Sequence, residues 1–291
     1  MKYALYRFSL FLGFRLPLPL AYFVAQRFSL IRHMFSASLR FVLRKNLEVV
    51  LRYKAAREGT VFEPAELSRM VKQAYLNFGR YITDFVRIPF LTIDDCRRNI
   101  TFSGIHVLDE TIAGNKGAIG LTAHIGNWEL AGVVAQMMGY HITAVAFPQK
   151  DPRVAKIFRQ RRECKGMKAP FTGTPKELIR ALHRNEILAL VGDRLYTDKG
   201  IEVTFFGRLT LLPRGPYALS IKTGAPLFAG FLLIRNTGYH YQFEKIPAPP
   251  AGLPEEQKIR LLAQEGAGVL ERIILDHPDQ WLNFSVVWPK T

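Results

Sequence analysis

The stretch His124-Ile125-Gly126-Asn127-Trp128-Glu129 sets an imidazole and a carboxylate five residues apart, with a glycine and an asparagine between them. A hydroxyl attacks a carbonyl poorly until a base takes its proton, and a neutral histidine does this at physiological pH. A carboxylate beside the ring fixes its orientation and stabilises the imidazolium that forms. On a continuous helix, positions five apart are rotated by roughly 140°, so the two groups would diverge. If His124 instead lies in a strand-to-helix loop and Asn127 caps the helix, Glu129 falls in the first turn and can approach the ring. Each residue also has an ordinary structural explanation, because first-turn acids suit the helix dipole and asparagine is a common cap. The chemistry therefore depends on what the rest of the chain supplies.

The flanking elements place the pair where chemistry is usually found. Gly117 to Ala123 is a compact apolar run that suits a buried strand, and Trp128 to Met138 reads as a helix ended by Gly139. A helix spans 64–90, where Leu67, Met70, Val71, Ala74, Phe78 and Ile82 follow a period near 3.6. His141 to Phe147 is the next strand, and Pro152 to Lys165 a helix stopped by Gly166. Thr174 and Pro175 open a helix to about Arg184, and Ile187 to Gly192 is a buried strand leading into Asp193. Pro216 to Thr223 is a short helix stopped by Gly224. Pro226 to Ile234 is a long apolar strand with which Tyr239 to Ile246 can pair. A helix over 254–276 and a last strand from Trp281 to Val287 complete the pattern. Strands alternating with helices predict an α/β fold, a mainly parallel central sheet with helices on both faces. His124 then sits at the carboxyl end of a strand, where open α/β sheets carry their sites.

Leu121-Thr-Ala-His-Ile-Gly-Asn-Trp-Glu129 resembles the His-x4-Asp/Glu motif of the lysophospholipid acyltransferase superfamily. Its Gly-Asn-Trp-Glu form is most similar to the bacterial lipid A biosynthesis (lauroyl/myristoyl) acyltransferases and their phosphatidylinositol mannoside relatives. Three further segments agree in order: Arg162 with Gly166, Asp193 followed by Val203-Thr-Phe-Phe-Gly207, and Leu212-Pro-Arg-Gly-Pro216 through Lys222-Thr-Gly-Ala-Pro226. The similarity runs over roughly residues 70–290. It implies a catalytic base at His124 oriented by Glu129, and an acyl-carrier-protein or coenzyme A thioester as donor, with no bound cofactor and no metal. The acceptor it implies is a hydroxyl of a lipid A precursor or related glycolipid. Asn127 would steady the loop or contact substrate. Arg162, Arg194 and Arg214 are the candidates for binding phosphate or a developing oxyanion, with Arg159 and Arg161 close enough to Arg162 to compete. Asp193 would bind substrate or hold one of these arginines. The chain departs from the lipid A enzymes at its end, where Gln280-Trp-Leu-Asn-Phe-Ser-Val-Val-Trp288 lacks their His-Arg-Trp element. That difference bears on the acceptor, not on acyl transfer.

Charge points to an anionic partner. Lys and Arg number 40 against 24 acidic residues, for a net +16. Residues 1–47 carry eight basic groups (Lys2, Arg7, Arg15, Arg27, Arg32, Arg40, Arg44 and Lys45) and no acid before Glu48. Bulky apolar residues fill the gaps between them, which predicts a segment lying in an anionic membrane surface. A spanning helix needs roughly 18 uninterrupted apolar residues, whereas Arg15 and Arg27 enclose only a shorter run containing Pro17 and Pro19. We therefore divide the chain into a basic apolar membrane-associating helical segment, 1–50, and an acyltransferase domain, 51–291. Monotopic attachment to the cytoplasmic face of a cell inner membrane is the expectation. Two distant cysteines, Cys96 and Cys164, exclude a disulfide framework and a Cys-rich metal site. Zinc-finger spacing, helix-turn-helix and RNP-like patterns are absent, which excludes nucleic acid as the partner. No Gly-x-Ser-x-Gly elbow or nucleotide-binding glycine loop occurs. The alternatives left are a phospholipid or glycerolipid acceptor, a thioester hydrolase using His124 on water, and a non-catalytic membrane scaffold.

Overall fold

The computed structural model describes residues 10–11, 13–145, 151–169, 174–196 and 200–288. Lys2, Arg7 and Phe8 of the basic segment, and the end of the strand predicted to reach Phe147, lie outside the described residues. Two long helices come first, α1 (Leu18–Phe35) and α2 (Ala37–Glu58), followed by α3 (Pro64–Arg87). Then come α4 (Ile93–Asn99), β1 (Ile100–Ser103), α5 (His106–Ala113), β2 (Ala118–Thr122), α6 (Trp128–Met137), β3 (Ile142–Ala144) and α7 (Pro152–Glu163). The second half holds α8 (Pro175–His183), β4 (Ile187–Val191), β5 (Gly200–Phe205), β6 (Arg208–Pro213), α9 (Gly215–Thr223), β7 (Leu227–Arg235), β8 (Gly238–Lys245) and α10 (Glu255–Asp276).

Six strands form one sheet in the order β1-β8-β7-β2-β4-β3, and every neighbouring pair is parallel except β7 with β8. The central strands are apolar on both faces because helices cover both. Along β7, Leu227, Ala229, Phe231 and Leu233 join one core with Ile119 and Leu121 of β2, while Phe228 and Leu232 join a second core with Leu130, Val133 and Val134 of α6. Capping at the sites read from sequence holds: the Asn127 side chain accepts from Leu130 N–H, and Thr174 with Glu177 forms a capping box.

The basic N-terminal helices are built into this body. Leu43, Leu47 and Val50 of α2 are fully buried in the first core. Helix α1 crosses α3 so closely at Gly79 that a Cβ there would lie 2.8 Å from Gln26 Cα. Among the described residues no helix is long and apolar enough to cross a membrane.

One expectation fails, and one hairpin is additional to the elements read from sequence. Trp281 to Val287 is not a strand: it makes a single isolated bridge, Ile125 to Trp281, and otherwise runs irregularly. Its polar groups are taken up by side chains, with Asn46 Nδ2 donating to the carbonyls of Asn283 (3.0 Å) and Ser285 (2.8 Å), so no ladder forms. The antiparallel hairpin β5–β6 was not anticipated. Its two-residue turn is Phe206-Gly207, both at positive φ (51° and 68°), a conformation that phenylalanine rarely adopts. Phe206 adopts it because its ring is buried against Trp281 and Trp288.

Candidate active site

Strands β2 and β4 are adjacent, parallel and paired in register, so that Thr122 faces Val191. His124 and Asp193 each lie two residues beyond those paired ends, and equal offsets from neighbouring parallel strands bring them together. Asp193 Oδ1 accepts from His124 Nδ1 at 2.8 Å. Asp193 is wholly buried and His124 is 8% exposed. The other carboxylate oxygen, Oδ2, accepts from Trp281 Nε1 (2.7 Å) and from Asn283 Nδ2 (3.2 Å), and Asn283 Nδ2 also reaches the Asp193 carbonyl (3.0 Å). Burial by itself would raise the Asp193 pKa, but His124 and the Trp281 indole N–H outweigh it and hold the carboxyl below its usual range. An ionised Asp193 accepting at Nδ1 leaves Nε2 as the ring's acceptor nitrogen. The Tyr196 hydroxyl stands 3.0 Å from Nε2.

Among the described residues no hydrogen bond joins Glu129 to the ring. Its carboxylate takes a two-pronged ion pair from Arg162, with Nε to Oε2 at 2.7 Å and Nη2 to Oε1 at 2.6 Å, and both side chains are largely buried. The expected His124–Glu129 contact is thus replaced by His124–Asp193. The reason is angular: Glu129, in the first turn of α6, pairs with Arg162 of α7, whereas Asp193 emerges from the neighbouring strand directly beside the imidazole. Desolvation works against the Arg162 charge, but Glu129 more than compensates and the guanidinium stays protonated.

The loop that holds His124 is clamped on three sides. Gly126 sits at φ 59°, and a Cβ there would meet the Leu232 carbonyl at 2.1 Å, so only glycine fits. Gly126 N–H donates to Gln280 O (3.1 Å), Asn127 N–H to Leu232 O (2.9 Å), and Leu282 N–H back to His124 O (2.6 Å). Asn127 is fully buried, and its Nδ2 donates to the Tyr239 hydroxyl at 3.3 Å. Tyr239 in turn donates to Asp84, which also accepts from Tyr22 of α1 at 2.6 Å. Asn127 therefore joins the loop to the helical N-terminus and is occupied by structure. Trp128 forms one wall, edge-on to His124 at 5.0 Å and stacked on Tyr81 at 4.3 Å.

The remaining predicted residues divide. Arg162 is at the site through Glu129, and Arg194 lies over the Tyr196 ring at 4.7 Å. Arg214 instead pairs with Glu256 of α10 at 2.5 Å, and among the described residues no hydrogen bond joins it to the His124 cluster. Arg159 pairs with Glu163 and Arg161 lies over Phe14. The sequence reading missed Tyr196, Trp281 and Asn283 as members of the site. The equal distance of His124 and Asp193 from two predicted strand ends was the available signal for their pairing. Nothing local marked the terminal segment as the clamp on Asp193.

Comparison with known proteins gives an independent line. The family model described as bacterial lipid A biosynthesis acyltransferase matches residues 1–290. A phosphatidylinositol mannoside acyltransferase of Mycobacterium tuberculosis is 26% identical over 265 residues, covering 89% of this chain and 82% of that protein. One from Mycolicibacterium smegmatis is 29% identical over 201 residues, covering 67% of this chain and 66% of its own.

Proposed function

The chain belongs to the bacterial lipid A biosynthesis acyltransferase family and is an acyltransferase acting on lipid, and from that premise we propose that it moves a fatty acyl group from a thioester to a sugar hydroxyl of an anionic glycolipid, with His124 as base and Asp193 as its orienting carboxylate. The observation that carries this reading is the buried His124–Asp193 pair, whose outer nitrogen faces the more exposed side of the site. In the reaction Nε2 takes the acceptor's proton as the hydroxyl oxygen attacks the thioester carbonyl. Asp193 stabilises the imidazolium, the tetrahedral intermediate collapses with loss of the C–S bond, and the imidazolium returns its proton to the departing thiolate. Arg162 spends two N–H groups on Glu129 and keeps others for a phosphate or the oxyanion. Glu129 thus serves by fixing Arg162 rather than by orienting His124.

Both the family description and the relatives' names concern acylated glycolipids, and this supports a glycolipid acceptor, a lipid A precursor or a mannosylated phosphoinositide, over a simple glycerolipid. Acyl carrier protein and coenzyme A are the two donor carriers. The exposed face of the N-terminal helices supports attachment to a membrane surface, which this reading takes to be the cytoplasmic face of an inner membrane. Phe23, Ile31, Phe35 and Phe41 are exposed there, and Arg27 and Lys45 lie over the Phe23 and Phe41 rings.

Lipid extracts from cells lacking the protein, complemented with wild type, His124→Ala or Asp193→Ala, test the proposal by mass spectrometry. A glycolipid that gains one acyl chain with wild type alone is the expected result and names the acceptor. Restoration of the same lipid by His124→Ala would exclude His124 as the base.

A further inference from the structure

Both ring nitrogens of His124 are occupied: Nδ1 by Asp193 and Nε2 by the Tyr196 hydroxyl at 3.0 Å. An acceptor hydroxyl must come within roughly 2.6–3.2 Å of the same Nε2 before it can give up its proton. Tyr196 therefore stands where the substrate hydroxyl must stand. It is the outward member of the cluster, 40% exposed beside a nearly buried imidazole, and it lies in no strand or helix. Arg194 covers its ring and lines the same approach.

We propose that Tyr196 is a gate on the catalytic nitrogen, its phenol holding the place of the acceptor hydroxyl so that water cannot use His124 until the acceptor displaces it. This rests on the acyl-transfer reading above. A thioester held next to an active base faces two nucleophiles, the acceptor and water. Attack by water forms a C–O bond to the acyl carbon, breaks the C–S bond, and releases a free fatty acid and a protonated thiol, wasting the donor. Excluding water is a general requirement of such sites. A phenol suits the task because it donates a hydrogen bond to Nε2 yet is held un-ionised. Burial raises its pKa further, and this outweighs the opposing pull of Arg194 and Arg162.

The test uses the full-length protein with palmitoyl coenzyme A, and compares wild type with Tyr196→Phe, His124→Ala and the double variant. Thiol release is followed without added lipid, and acyl transfer is followed with a total glycolipid extract from the source cells. Tyr196→Phe keeps the ring and its stacking with Arg194 and removes only the hydroxyl. Acceptor-free thiol release is expected to rise about tenfold, the factor carried by about 1.4 kcal/mol of hydrogen bonding, and to vanish in the double variant. The ratio of hydrolysis to transfer should rise with it, a change that a merely structural role for the phenol would not produce. If wild type transfers, His124→Ala does not, and Tyr196→Phe releases thiol no faster than wild type, the gate is refuted and the transferase reading stands. If wild type and His124→Ala transfer equally, the underlying reading fails and the gate fails with it.

Discussion

In the proposed mechanism His124 is oriented by a second carboxylate that lies far from it in sequence. Asp193 is held by Trp281 Nε1 and Asn283 Nδ2 on one oxygen and by the imidazole on the other, so its position allows little freedom. Asp193→Asn should keep the fold but permit the wrong imidazole tautomer, and kcat is expected to fall by about 10²–10⁴ with KM little changed. Steady-state kinetics on the acceptor found by mass spectrometry check this. The same variant has a pH signature in stability. A carboxyl whose folded pKa is depressed stabilises fully above its unfolded value, and that contribution is lost as pH falls through the folded one. The stability difference between wild type and Asp193→Asn should therefore narrow as pH falls below the ordinary carboxylate range. A gap in urea midpoint that widened on acidification would contradict this assignment.

At the scale of elements, the site is the junction of two parallel strands, a clamped loop and a terminal segment. Register places His124 beside Asp193, and the left-handed turn at Gly126 lets the chain leave β2 and enter α6 against β7. Gly126→Ala adds strain at positive φ and a backbone clash with Leu232, so it should destabilise the protein by about 2 kcal/mol or more and suppress activity through the loop. Thermal unfolding with activity at matched folded fraction separates the two effects; an unchanged Tm would show that the loop relaxes freely. Elements of this kind were partly legible beforehand. Strand ends at 122–123 and 191–192, the Asn127 cap and the Gly139 stop all follow from short-range patterns of apolar residues and cap chemistry. The β5–β6 turn did not announce itself, because Phe206-Gly207 is not a usual turn pair and its conformation is imposed by tryptophans some eighty residues on.

On the scale of the whole molecule, α1 and α2 cover the core with one face and, in the proposed membrane attachment, meet the bilayer with the other. Their inner residues complete the core, and their outer residues form an apolar face interleaved with arginine and lysine. Phe35 is 83% exposed and Phe23 54%, and neither is part of the core. Replacing both with glutamate should weaken recovery on phosphatidylglycerol vesicles about tenfold or more, with the remaining binding sensitive to salt and circular dichroism unchanged. Equal recovery of the variant would remove these helices from the membrane contact. The chain Tyr22–Asp84–Tyr239–Asn127 links α1 through α3 and β8 to the loop that carries His124.

What the amino-acid order determined by itself is what depends on near neighbours along the chain. Apolar runs, caps and stops defined the α/β alternation and placed His124 at a strand end, and the uneven distribution of charge set the basic, apolar character of the N-terminal helices. The quoted motif blocks carried the acyltransferase resemblance. Only the tertiary structure decided which groups meet. Whether Glu129 or Asp193 reaches the imidazole depends on β2 and β4 being neighbours in register, and no periodicity within either strand records its neighbour. The same holds for Tyr196 on Nε2, for Arg214 drawn away to Glu256, and for residues 281–288, apolar enough for a strand but held in an irregular path by Asp193 and Asn46. Those contacts are set by distances across the sheet, which local sequence does not encode.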